Sequence, residues 1–83
     1  MENRIALIGI FVEDQAASAK VNHILHDYAP YIIGRMGIPC KEKNISIISV
    51  ALDANNDIIS SISGKLGMIQ GISVKAMYSR KTV

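Results

Sequence analysis

Period and order in this sequence predict an α+β domain: a four-stranded antiparallel sheet with two helices on one face. Three observations carry that expectation. Short apolar runs rich in β-branched residues, such as RIALIGIFV, are strand length; two other segments repeat apolar residues at three- and four-residue steps; and the pieces follow the order βαββαβ. With 83 residues the chain has room for one core, so residues 1–83 are read as a single domain.

Arg4 to Val12 is the unbroken apolar run and the first strand. In EDQAASAKVNHILHDY the period changes: Ala17, Val21, Ile24, Leu25 and Tyr28 recur on one helical face, with Asp14 as the expected N-cap. Pro30 cannot continue that helix. YIIGRMGIP then alternates Ile32, Gly34, Met36 and Ile38 against Ile33, Arg35 and Gly37, a second strand irregular at its glycines. CKEKN has the charge and the asparagine of a hairpin turn, so Ile45 to Leu52 is the third strand, antiparallel to the second. In DANND, Asn55 or Asn56 caps a second helix whose inner face is Ile58, Ile59, Ile62 and Leu66. Gly67 is expected to end it in a left-handed cap, Gly71 to turn the chain, and ISVKAMYS to form the fourth strand. This is the ferredoxin-like split βαβ order, and right-handed crossovers place both helices on the same side of the sheet.

Composition removes several function classes. Nine basic against seven acidic residues leave a formal charge of +2, with the cations scattered along the chain, so no direct nucleic-acid partner is expected. No run reaches the roughly 18 apolar residues of a membrane span, so no membrane partner is expected either. A single cysteine cannot close an internal disulfide, and no basic and apolar leader opens the sequence; the expected setting is soluble, reducing and cytoplasmic.

The first and third strands break the usual alternation of a half-solvated sheet. Ala6, Ile8, Ile10 and Val12 alternate with Ile5, Leu7, Gly9 and Phe11, and Ile48, Val50 and Leu52 with Ile45, Ile47 and Ala51, so both faces are apolar. A bare sheet of this kind exposes a patch that monomers rarely carry, and the expected partner is a second copy of the chain through the open face.

VNHILHDYAPYIIGRMGIPC holds both histidines and the cysteine, a set that invites a metal reading because imidazole and thiolate bind soft cations. At 100° per residue, however, His23 and His26 point away from the sheet while Cys40 ends the second strand. A three-ligand site within one chain is therefore not expected, and His23, His26 and Cys40 remain a minority alternative that needs two subunits. GRMG and GKLG lie in a strand and near a helix end, where they do not cradle phosphate. No nucleophile is paired with a base, so no enzyme and no cofactor are expected. A small-molecule effector is expected at Asp14, Gly34, Arg35 and Gly37, where a cation flanked by positions without side chains offers guanidinium and backbone to a carboxylate or phosphate.

VEDQAASAKVNHILHDY, IIGRMGIP, KEKNISIISV and ISGKLGMIQGISVKAMYS together resemble the iron-only hydrogenase system regulator family over nearly the whole chain. The resemblance implies a ferredoxin-like domain of the kind found in amino-acid-binding ACT domains and in the metal-binding half of the nickel-responsive regulator. It further implies a regulatory protein associated with the iron-only hydrogenase system, with a metal-binding protein of hydrogenase assembly and a plain protein-interaction module as alternatives. Two departures limit what carries over. VEDQAA lacks the glycine common in ACT effector loops, and His23, His26 and Cys40 do not reproduce the nickel regulator's three histidines and cysteine. With no ribbon-helix-helix or helix-turn-helix segment, control of transcription would need a separate DNA-reading chain.

Overall fold

The computed structural model describes residues 2–81. The strands are β1 (Arg4–Val12), β2 (Ile32–Cys40), β3 (Ile45–Ala54) and β4 (Ile72–Tyr78); the helices are α1 (Ser18–Asp27) and α2 (Asn56–Gly67). All four strands form one antiparallel sheet in the order β2-β3-β1-β4, which puts the two doubly apolar strands at its centre. Both helices cover one face, as the crossover rule requires.

The core lies between that face and the helices. Ala6, Ile8, Ile10 and Val12 of β1 and Ile48, Val50, Leu52 and Ala54 of β3 meet Val21 and Leu25 of α1 and Ile59, Ile62 and Leu66 of α2. Fully burying one such aliphatic side chain stabilises by about 1.5–3 kcal/mol, so this layer holds the fold together. Asn55 caps α2 by accepting a hydrogen bond from the Ile58 amide at 2.9 Å. Tyr28, at the end of α1, shares a 2.9 Å hydrogen bond with Ser61 of α2 and has the Lys65 ammonium 5.0 Å from its ring centroid, which ties the helices together.

Three local expectations change. Asp14 caps a single 3-10 turn, Gln15–Ala17, by accepting from the Ala16 amide at 3.0 Å, and the α-helix proper starts only at Ser18. Gly67 is the last residue of α2 and the right-handed Met68 follows it, so no left-handed cap closes the helix. Gly67 instead lies close to β4, where an added Cβ would sit 3.6 Å from Val74 Cγ1. The left-handed glycine is Gly71, at φ 87°, whose carbonyl accepts from the Glu13 and Asp14 amides at 2.8 and 3.2 Å and so joins the start of β4 to the end of β1. A Cβ at Gly71 would lie 2.5 Å from Asp14 Cβ, so both conformation and space demand glycine there.

The third change is on β2. Ile32 pairs with Leu52 and Gly34 with Ala51, which leaves Ile33 as an extra residue, a β-bulge. Ile32 therefore packs against the core on the helix side, whereas Gly34, Met36 and Ile38 share the opposite face. The strict alternation expected through Ile32 fails at this one residue.

Candidate functional site

Two surfaces remain after the core is accounted for, the open face of the sheet and a hollow beside β2. On the open face cross-strand partners form rows. Ile38, Ile47, Phe11 and Ser73 make one row, Met36, Ser49, Gly9 and Lys75 the next, and Gly34, Ala51, Leu7 and Met77 a third. Ile45 and Cys40 pair at one end and Ile5 and Asp53 at the other. Leu7, Phe11, Met36 and Met77 are 41%, 50%, 59% and 65% exposed, high values for large apolar side chains. Three shallow hollows dent this face, around Leu7 and Met77, around Phe11 and Cys40, and around Gly9 and Lys75. Asp53 and Lys75 are the charged residues among its described strand positions.

The second surface arises because the helices stop short of β2. From Ile33 to Pro39 that strand is exposed. Arg35, Gly37 and Pro39 pair with Val50, Ile48 and Ser46, so they lie on the helix side of the sheet at an edge the helices leave bare. Asn22 on α1 bridges the gap: its side-chain oxygen accepts from the Arg35 guanidinium at 2.9 Å. Between them is a hollow of about 220 Å³ lined by Ser18, Asn22, Arg35, Gly37, Ile38 and Pro39, with Val12 and Ile48 among its apolar lining.

Of the residues singled out in the sequence, Arg35 and Gly37 line this hollow, while Gly34 faces the open side against Ala51. Asp14 is occupied by its cap and packs beside Gly71. Asn22, which sequence reasoning did not single out, is what holds the arginine; its position, one residue after Val21 and three before Leu25, carries no signal of that contact. His23 and His26 are exposed on α1, His23 3.6 Å from Asp27, and Cys40 is half-buried at the end of β2. Among the described residues no three His, Cys, Asp or Glu side chains gather in a way that could hold a metal ion. No helix among them is long and apolar enough to cross a membrane.

The helix layer carries a perturbed pair, Tyr28 and Lys65. The Lys65 ammonium, aided by the Ser61 hydroxyl, holds the Tyr28 phenol below its usual range. Tyr28 in turn raises Lys65. Both groups work at the joint between the helices, away from the open face.

Comparison with known proteins agrees with the architecture. The TM1266-like family, described as "Iron-only hydrogenase system regulator, putative", matches residues 4–76. The structure of the uncharacterized protein TM1266 from Thermotoga maritima is 38% identical, with a TM-score of 0.91 over 95% of this chain and 100% of that one. The C-terminal domain of the MgtC protein from Mycobacterium tuberculosis superposes with a TM-score of 0.67 at 13% identity, over 94% of this chain and 89% of that domain. A formyltetrahydrofolate deformylase from Pseudomonas putida KT2440 does so at 0.63 and 9% identity, over 88% of this chain and 28% of the enzyme. At such identities the last two share the fold alone. None of the curated proteins matches the chain. The family match across nearly all of the chain, together with a 38% identical relative of similar length and the same fold, establishes that the chain belongs to the TM1266-like family of iron-only hydrogenase system regulators.

Proposed function

We propose that the chain is a non-enzymatic regulatory domain of the iron-only hydrogenase system that works in the cytoplasm as a homo-oligomer, paired through its open sheet face, and responds to a small effector. The observation that carries this reading is the contiguous apolar surface of Leu7, Phe11, Met36, Ile38, Ile47 and Met77. Four strands about 4.8 Å apart and about 25 Å long make a face of roughly 500 Å², as large as the biggest patches on ordinary monomers. Two such faces together bury about 1,000 Å², the lower bound for a specific interface. Its charges favour a second copy as the occupant. Asp53 on β3 and Lys75 on β4 supply one charge of each sign, so a two-fold arrangement can set the aspartate of one copy against the lysine of the other.

Sedimentation velocity at micromolar concentration tests the pairing. The wild type should show no dominant monomer, and Phe11→Asp should sediment as a monomer with unchanged far-UV circular dichroism. A wild-type species that stays at the monomer mass of 9.0 kDa at every concentration would rule the pairing out.

A further inference from the structure

We infer that the hollow between α1 and β2 is a binding site for a small aliphatic monocarboxylate without an amino group. This rests on the effector reading above and names the ligand class. Arg35 is the only cation in the lining and has no carboxylate partner among the described residues; its recorded hydrogen bond is the neutral one to Asn22. A guanidinium has five N–H donors in a planar fork, so after the bond to Asn22 it keeps donors for a planar carboxylate. The bond to Asn22 also fixes the side chain in advance, which lowers the entropic cost of binding.

The rest of the lining selects the body of the ligand. Val12, Ile38, Pro39 and Ile48 offer apolar contact, and Gly37 leaves space, with no atom within 4 Å of where its Cβ would be. A hollow of 220 Å³ holds about seven water-sized groups at roughly 30 Å³ each, the scale of a five- or six-carbon acid. No lining residue is acidic, so an α-ammonium group would enter with no countercharge. That disfavours amino acids, since an ammonium would give up part of its water there and gain no ion pair in return.

The test is a two-dimensional NMR titration of the full chain with isocaproate, L-leucine and inorganic phosphate. Isocaproate is leucine without its amino group, so the pair isolates the ammonium. Isocaproate should shift the Asn22, Arg35, Gly37 and Ile38 amides saturably, with leucine and phosphate at least about tenfold weaker. Arg35→Ala should weaken isocaproate at least about tenfold by removing the charge-assisted bonds. Gly37→Val should do the same by filling the hollow, with Arg35 intact and a β-branched residue well suited to the strand. Both positions are exposed, and unchanged circular dichroism checks that each variant folds. No saturable shift with isocaproate, survival of binding in either variant, or equal binding of leucine or phosphate overturns the inference. Saturable shifts confined to Leu7 and Met77, which line a separate hollow on the open face, overturn this site but leave an effector elsewhere, and sedimentation of the same samples reports separately on self-association.

Discussion

The two sides of β1 have almost the same composition and opposite fates. Ile8, Ile10 and Val12 are wholly buried under α1 and α2, whereas Leu7 and Phe11, one residue away, stand half in water. Hydrophobicity does not decide which is covered; the number of layers does. Two helices are enough for one face of four strands and nothing in the described chain reaches the other. The inner face thus reports on folding and the outer face on association.

Substitutions can break this contrast. Ile10→Ala leaves a cavity under both helices and should destabilise by about 2–5 kcal/mol in urea or guanidinium unfolding. Leu7→Ala on the other side of the same strand should change monomer stability by no more than about 0.5 kcal/mol, measured in the Phe11→Asp background. Equal losses at the two positions would show that the open face belongs to the core and would undo the distinction.

Glycines give a smaller version of the same test. Gly71→Ala forces a side chain into the left-handed region and against Asp14, and should cost at least about 1–2 kcal/mol. Gly34→Ala, where nothing lies within 4 Å of the new methyl, should be neutral or stabilise by up to about 1 kcal/mol. Matching losses in thermal unfolding would mean that the bare edge at β2 is packed after all.

The smallest effect belongs to the helix joint and is read by pH. Because the Tyr28 pKa is lowered on folding, the phenolate favours the native state above the ordinary phenol pKa, and that gain is lost as pH falls through the lowered value. Lys65 is raised, so its contribution is complete below the ordinary ammonium pKa and is lost as pH rises through the raised one. The pair thus stabilises most in the alkaline band between them. Ultraviolet titration should find a tyrosine midpoint below the usual phenol range, and Lys65→Met should move it upward; a midpoint that ignores Lys65 would remove the ammonium as its cause.

Most of the architecture was legible because burial repeats at the period of the backbone. The inner positions of β1, β3 and α2 are regular, and the central placement of β1 and β3 follows from their two apolar faces. Gly67 was misread because a glycine near a helix end fits both a left-handed cap and an ordinary last helical turn, and only the right-handed backbone at Met68 separates the two. The hollow was half legible. Arg35 stood out as a cation between glycines, but Asn22 lies thirteen residues earlier on another element, and the side of the sheet that Arg35 occupies depends on the bulge, which alternation cannot reveal.

That bulge acts like a reading frame. If Ile33 instead took a regular place against Ala51, each later residue of β2 would change sides: Gly34, Met36 and Ile38 would turn toward the helices, and Arg35, Gly37 and Pro39 toward the open face. Straightening the strand would thus exchange a charged hollow for a charged association surface without altering any of those residues, whereas deleting Ile33 would remove the bulge and leave each of them on its present side. Among related chains, whether an extra residue before the β2–β3 hairpin is bulged out or laddered should be a better guide to which surface is used than the identity of any one side chain.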